Sequence, residues 1–210
     1  MPMPATLHLP EGYRSIGTLD LTKNLRALFY MNIAGAFLLF VFYYLFFRAA
    51  LWMRPVAAFH GLSTSIQGLG GVLRIIVAVI GIYAAVIVLH EATHGIFLTW
   101  FTRTRPIFAF RGYYAYASAP GWYFPRYQYL LVSLAPLVLL SLLGLAVLEF
   151  VPAGWFLPVI SFMAFNASGA VGDLAVFFWL LRQPSTCLAY DVGEAVTLYL
   201  PSSSPNSGGE

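Results

Sequence analysis

Residues 75–101 read IIVAVIGIYAAVIVLHEATHGIFLTWF, and this stretch contains neither lysine nor arginine. An α-helix needs about 20 predominantly apolar residues to cross the hydrocarbon core of a bilayer. The stretch is longer than that, and Arg74 and Arg103 stand just outside its two ends. It therefore predicts a membrane-spanning helix that carries three ionisable side chains, two histidines and one glutamate, in its C-terminal half.

Three other runs have the same apolar character and predict three more spans. They are Ala27–Phe47, Tyr129–Phe150 and Gly154–Leu181. Of the 210 residues, 60% are hydrophobic and 9% are charged, whereas a soluble domain has about 25% charged residues. The first run is too long for the apolar part of a cleavable signal peptide. The predicted fold class is all-α, a polytopic membrane helix bundle with about four transmembrane helices.

The segment between the second and third spans is rich in aromatic residues. Within it, Ile107–Phe110 and Tyr113–Tyr116 flank Arg111 and Gly112, which predicts a short β-hairpin after helix two. The alternative interpretation is a belt of aromatic side chains at the membrane interface. As a hairpin, the segment would offer a strand edge to an extended substrate.

Basic residues are distributed unequally around the four spans. Eight of the eleven precede the first span, separate the second from the third, or follow the fourth, and three lie on the opposite side. By the positive-inside rule, both termini are cytoplasmic. The predicted organisation is a cytoplasmic N-terminal segment at 1–26, a four-helix transmembrane domain at 27–182, and a cytoplasmic C-terminal tail at 183–210.

The composition also excludes several classes of protein. The basic residues are scattered around the apolar runs without a patch or motif for nucleic acid, so membrane orientation explains the net charge of +3. Cys187 is the only cysteine, which excludes an intrachain disulfide and a cysteine-based zinc cluster. The expected partners are membrane lipid and a membrane-protein or peptide substrate, and no oligomeric state is indicated.

The second span contains His90, Glu91 and His94 in the pattern His-Glu-x-x-His. Positions i and i+4 share one face of a helix, so both imidazoles can bind a single ion. Zinc suits imidazole ligands, and a catalytic zinc site adds a third protein ligand and keeps one position for water. Glu91 lies beside that face and is the candidate catalytic residue, because it can move a proton from water to an amide nitrogen.

The position of these groups inside an apolar span supports a metal site. Each ionisable side chain near the bilayer centre costs roughly 2.5–3.5 kcal/mol on insertion scales. Three such groups on one helical turn need a common partner, which a divalent cation supplies. The alternative is a pair of interior histidines that are hydrogen-bonded to neighbouring helices.

Asp173 is the only charged residue between Gly154 and Leu181, and we predict that it is the third metal ligand. His94 precedes Arg103 by nine residues, and Asp173 precedes Arg182 by the same number. Both helices run toward the cytoplasm, so at 1.5 Å per residue both groups lie roughly 14 Å inside their terminal arginines. The two side chains are therefore predicted at the same depth.

Asn166, Gly169 and Asp173 have the spacing i, i+3, i+7 of a single helical stripe. Gly169 removes side-chain bulk, which would let the fourth helix approach the second closely. Asn166 is the candidate substrate-binding residue, because its amide can hydrogen-bond a peptide backbone. A hydrogen bond between helices is the alternative role for its side chain.

Two segments of the chain resemble a known family. VLHEATHG ends at Gly95 and NASGAVGDL begins at Asn166, and together they resemble the putative zincin peptidases, which are small bacterial membrane proteins. That family is similar in turn to the site-2 proteases, the zinc enzymes of regulated intramembrane proteolysis. Leu174 stands where the site-2 pattern has a glycine after the aspartate.

The resemblance covers about residues 20–200. It implies that His90, His94 and Asp173 bind zinc and that Glu91 is the general base. It also implies a location in the bacterial cytoplasmic membrane. The expected function is zinc-dependent, membrane-embedded hydrolysis of peptide bonds in membrane or membrane-proximal substrates.

Two other functions remain open at the level of sequence. One is a zinc hydrolase that acts on a lipid or another non-peptide substrate, which the histidine pattern does not distinguish from a protease. The other is a non-catalytic zinc-binding membrane scaffold or carrier. Transporters show repeated or broken helices with polar residues in both leaflets, whereas this chain concentrates its polar residues in one.

Overall fold

The computed structural model describes residues 4–20, 25–56, 68–112 and 114–202. The chain divides into two compact units. The first, the sheet unit, contains Met1–Leu28, His94–Leu134 and Asp173–Glu210. The second, the helical unit, contains Phe29–Thr93 and Ala135–Gly172. The second and third long helices run through both units without interruption.

Five α-helices form within the described residues. They are α1 (Leu25–Met53), α2 (Gly68–Thr102), α3 (Arg126–Phe150), α4 (Phe156–Gly169) and α5 (Val171–Leu181). Three stretches, Leu28–Met53 and the whole of α2 and α3, are long and apolar enough to cross a membrane. These stretches agree with the first three predicted spans. At most of their ends the observed helices extend a few residues beyond the predicted limits.

The fourth predicted span, Gly154–Leu181, is not one helix. A 3₁₀ turn (Ala153–Trp155) leads into α4, and α4 and α5 meet at a 48° bend around Ala170. The residues at the bend include asparagine, serine and two glycines, which favour a helix less than the alanine and leucine around them. The prediction of a continuous stripe from Asn166 to Asp173 was therefore wrong, because the two residues lie on different helices.

A four-stranded antiparallel sheet corrects the all-α prediction, although 65% of the chain is helical. Its order is β1-β6-β5-β4, formed by β1 (Tyr13–Asp20), β6 (Ala195–Pro201), β5 (Leu188–Asp191) and β4 (Tyr123–Pro125). β1 pairs with β6 across nearly the whole length of the chain. Pairing of segments so distant leaves no local periodicity that could reveal the partner.

The predicted β-hairpin after helix two is present. β2 (Ile107–Phe110) pairs antiparallel with β3 (Ala115–Ser118), so the second strand begins two residues later than predicted. Gly112 lies in the connection with a φ of +88°, a conformation that glycine adopts without strain. Tyr113, the predicted start of the second strand, is outside the described residues.

Each unit has its own hydrophobic core. The core of the sheet unit includes Leu98, Phe124, Leu180, Cys187 and Leu198, all of them fully buried. The core of the helical unit is formed by residues of α1, α3 and α4. Its buried members are Phe46, Ala50, Leu148, Phe156, Ile160, Met163, Ala164 and Ala167. Gly144 permits close packing in the helical unit, because a Cβ there would overlap Met163.

The first half of α2 is apolar and exposed. Residues 72–81 are all exposed, and ten consecutive helical positions include every side of the helix. Monomeric soluble proteins rarely expose so large a continuous apolar surface. The exposure is what a helix surrounded by lipid requires.

The buried Cys187 yields a prediction about reactivity. Burial raises the pKa of its thiol to about 11. A backbone hydrogen bond from Tyr199 and the charge of Arg126 lower the pKa, but by less than burial raises it. The thiolate is the reactive form, so alkylation of the native protein at pH 8 should be on the order of 100-fold slower than after unfolding. Iodoacetamide labelling followed by mass spectrometry measures this, with Cys187→Ser as the blank. Equal rates before and after unfolding would contradict the buried, high-pKa thiol.

Candidate metal centre

The two histidines of α2 lie one turn apart on the same face of the helix. Both are buried, with His90 8% and His94 7% exposed. Their positions relative to each other follow from the helix itself, because α2 is continuous from Gly68 to Thr102. The local helical geometry therefore presents two imidazoles side by side, as the sequence predicts.

The hydrogen bonds of His94 determine which of its nitrogens can bind a metal. Nδ1 lies 3.0 Å from the carbonyl oxygen of Val132, which can only accept a hydrogen bond. Nδ1 therefore carries the proton in the neutral ring, so Nε2 is the nitrogen that can bind a metal. Nε2 lies 3.3 Å from Oδ1 of Asp173. Two acceptors at this separation need a proton or a cation between them.

His90 is oriented by an analogous contact. Its Nδ1 lies 3.0 Å from Oδ1 of Asn166, whose Nδ2 donates a 3.1 Å hydrogen bond to the carbonyl of Pro136. That second bond fixes the orientation of the amide, so its oxygen faces the imidazole. His90 therefore donates through Nδ1 and, like His94, keeps a lone pair on Nε2. Hydrogen bonds of this kind commonly orient the histidine ligands of metals.

Asn166 is completely buried, and both ends of its amide have partners within the protein. The hydrogen bond between helices that the sequence left open is therefore present. Its predicted role in binding substrate stays a prediction, and its observed contact is with a candidate ligand.

Ligand atoms of His90, His94 and Asp173 all lie within 4.8 Å of one another. Two imidazole nitrogens and one carboxylate are a donor set that zinc accepts, and three protein ligands leave a fourth position for water. Asp173 lies in the first turn of α5, where the helix dipole stabilises a negative charge. The residues present therefore fit a catalytic zinc ion.

Glu91 follows His90 directly on α2 and is half-buried. The adjacent position on the helix turns its side chain about 100° away from that of His90, so it lies beside the line through both histidines. A carboxylate at this position is close to a ligand without being on the ligand face. This is the placement expected of a proton carrier.

Asp191 is a buried acid near the site that sequence reasoning missed. The sequence suggests a solvated carboxylate beyond the last span, but Asp191 is only 5% exposed. It accepts a 2.6 Å hydrogen bond from the backbone N–H of Gly193 and another from the hydroxyl of Tyr129. Burial raises the pKa of Asp191 above its usual value, and these two hydrogen bonds only partly oppose that rise. No local pattern could have found it, because its burial depends on β5 lying inside the sheet.

The hairpin of β2 and β3 packs against α2 next to His94. A Cβ at Gly95 would lie 2.5 Å from the ring of Phe108, so the glycine permits β2 to approach the helix. At the other end, Arg111 forms a 3.1 Å ion pair with Glu194, and this carboxylate raises the pKa of Arg111. The ion pair is exposed, so its contribution to stability is small.

Metal content tests the assignment of the ligands. We expect wild-type protein to bind one zinc ion, and His94→Ala and Asp173→Ala to lose most of it because each removes a donor from a three-ligand set. Elemental analysis after dialysis against trace zinc measures this. His8→Ala is the matched control, because His8 is exposed and lies outside this cluster. Full zinc retention by Asp173→Ala would show that the third ligand is another residue.

Comparison with known proteins supports the same chemistry. The family model described as "Putative zincin peptidase" matches residues 83–188, which is half of the chain and includes all three candidate ligands and Glu91. No curated protein and no solved structure matches the chain. Zincin peptidases are zinc-dependent, which agrees with the cluster of His90, His94 and Asp173. The chain thus belongs to the putative zincin peptidase family.

Proposed function

We propose that this protein is a zinc-dependent metalloprotease embedded in a membrane, where it hydrolyses peptide bonds of membrane or membrane-proximal substrates. One observation carries the proposal. Both histidines donate through Nδ1 to acceptors within the protein, and each offers a ring nitrogen within 4.8 Å of a carboxylate oxygen of Asp173. This arrangement suits a cation, because two imidazole nitrogens and one carboxylate are a donor set that zinc accepts.

The chain supplies the remaining groups that peptide hydrolysis needs. His90, His94 and Asp173 would hold the zinc ion, which would polarise the substrate carbonyl and lower the pKa of water. Glu91 takes a proton from the attacking water as its oxygen bonds to the carbonyl carbon. Glu91 then delivers that proton to the amide nitrogen as the C–N bond breaks, so one carboxylate serves both steps.

Three long apolar helices and the depth of the site support a membrane location. His94 and Asp173 lie on helices that run in the same direction in the predicted topology, each nine residues before a terminal arginine. The ligands are thus closer to one end of the spans than to the other. By the charge distribution, water reaches the site from the cytoplasmic side.

The hairpin supports an extended substrate rather than a helical one. Amides of a transmembrane helix are hydrogen-bonded and shielded, so a substrate must unwind before its carbonyl can be attacked. β2 packs on α2 at Gly95, immediately after His94, and a strand edge there can pair with the unwound segment. Backbone hydrogen bonds to a strand edge are the same for every substrate sequence, so we expect the enzyme to show little preference for particular substrate side chains.

Glu91→Gln separates catalysis from metal binding. We expect this variant to keep its zinc and to lose proteolysis by about 10²–10⁴-fold, because glutamine cannot carry the proton. Purified protein in liposomes is incubated with membrane-protein substrates, and peptides and lipids are both measured by mass spectrometry. Glu149→Gln is the matched control, since it makes the same change at the C-terminal end of α3.

The outcome of that experiment also distinguishes the other functions. New lipid products that depend on Glu91 would replace the protease with a lipid hydrolase. Wild-type protein that binds zinc but releases neither peptides nor lipid products would leave a scaffold. Undiminished proteolysis by Glu91→Gln would exclude Glu91 as the base.

Deletion of residues 107–116 tests the hairpin. We expect the shortened protein to retain zinc, because the hairpin contains none of the candidate ligands, and to lose cleavage of membrane-protein substrates. Zinc content and cleavage are measured on the same preparation, so loss of folding is distinguished from loss of substrate binding. Unchanged cleavage by a zinc-loaded deletion variant would remove the hairpin from the mechanism.

A further inference from the structure

Pro136 lies in the interior of α3, where it is completely buried. In an α-helix the N–H of residue i donates to the carbonyl of residue i−4. Proline has no N–H, so the carbonyl of Val132 does not receive the helical hydrogen bond that any other residue at position 136 would donate. A buried carbonyl without a partner costs about 1–3 kcal/mol. The sequence of α3 thus creates a polar group that needs a donor from elsewhere.

The donor to this carbonyl is His94. Its Nδ1 lies 3.0 Å from the oxygen of Val132, and both residues are buried. The bond satisfies the carbonyl that the proline leaves unpaired and also fixes the proton on Nδ1. The consequence for the imidazole is that Nε2 is the nitrogen with the lone pair, and it faces Asp173.

Pro136 is also linked to His90, through hydrogen bonds to Asn166. The carbonyl of Pro136 accepts a 3.1 Å hydrogen bond from Nδ2 of Asn166. That bond orients the amide so that its oxygen faces Nδ1 of His90 at 3.0 Å. A carbonyl has two lone pairs, so it can accept this bond in addition to one within the helix.

We infer that Pro136 is a positioning residue of the metal centre, because its missing N–H reserves the carbonyl of Val132 for His94. It acts through hydrogen bonds to the histidines and does not touch the metal or the substrate. The inference rests on the proposed zinc site but concerns a different question, which is what selects the metal-binding nitrogen of His94. Proline also bends helices, and the experiment must separate that effect from the effect of the missing donor.

Pro136→Ala restores an N–H that competes with His94 for the carbonyl of Val132. Loss of such a supporting hydrogen bond typically lowers metal affinity 10–100-fold. We expect a loss in this range for Pro136→Ala, measured by competition with a zinc chelator of known affinity. The matched control is Pro158→Ala, because Pro158 lies in the first turn of α4, where few backbone N–H groups have helical partners. Its zinc affinity should equal that of the wild type.

A backbone substitution separates the missing donor from the ring. In a third protein, position 136 carries lactic acid, whose ester oxygen replaces the N–H and which has no proline ring. We expect this protein to recover most of the zinc affinity that Pro136→Ala loses. Continued weak binding by the lactic acid variant would show that the bend imposed by the ring is what matters, and would overturn the inference.

Nitrogen NMR of the metal-free protein gives a readout that is independent of zinc. In the wild type we expect both imidazoles in the Nδ1–H form. In Pro136→Ala the signals of His94 should shift toward a mixture of the two neutral forms, whereas those of His90 should stay, because position 136 keeps its carbonyl. An unchanged His94 spectrum in Pro136→Ala would refute the inference, even if the wild type binds zinc. A wild type without zinc affinity would refute the proposed function instead.

Discussion

The structure depends on how buried polar groups are paired among apolar side chains. Each imidazole of α2 has two nitrogens, and in both residues one of these is held by an acceptor within the protein. Each imidazole also offers a nitrogen within 4.8 Å of a carboxylate oxygen of Asp173. Two imidazoles and one carboxylate are a donor set that a divalent cation such as zinc accepts. The fold thus gathers the donor atoms that a divalent cation can bind.

The sheet unit contributes more than a scaffold to the site. It holds Asp173 near His94. It also buries Asp191, which accepts hydrogen bonds from Tyr129 and Gly193. The same unit places the β2–β3 hairpin against Gly95, where the glycine leaves room for an aromatic ring. A second acid and a strand edge thus accompany the candidate metal ligands, and Asp191 comes from a segment far from α2 in the sequence.

The break between α4 and α5 changes the role of two residues. On a continuous helix, Asn166 and Asp173 would share one stripe and could both face the metal. The bend at Ala170 assigns them to different helices, with Asn166 bonded to His90 and Asp173 facing His94. It also places Asp173 in the first turn of a helix, where its negative charge is stabilised by the exposed backbone N–H groups. Gly169, which the sequence suggested for close packing, lies at this bend, and a Cβ there would meet no atom within 4 Å, so the close-packing prediction was wrong.

The sequence alone determined the three long apolar helices, the hairpin after the second one and the side chains that cluster at the metal centre. These features depend on composition, on helical spacing and on the rarity of ionisable groups in apolar runs, all of which are local. Only the tertiary structure decided the four-stranded sheet, the break at Ala170, the burial of Asp191 and the partners of Val132 and Asn166. Those features form where segments that are far apart in the sequence meet; the strands β1 and β6 are separated by almost the full length of the chain. Pairing over such distances is selected by the free energy of the whole fold and leaves no local pattern.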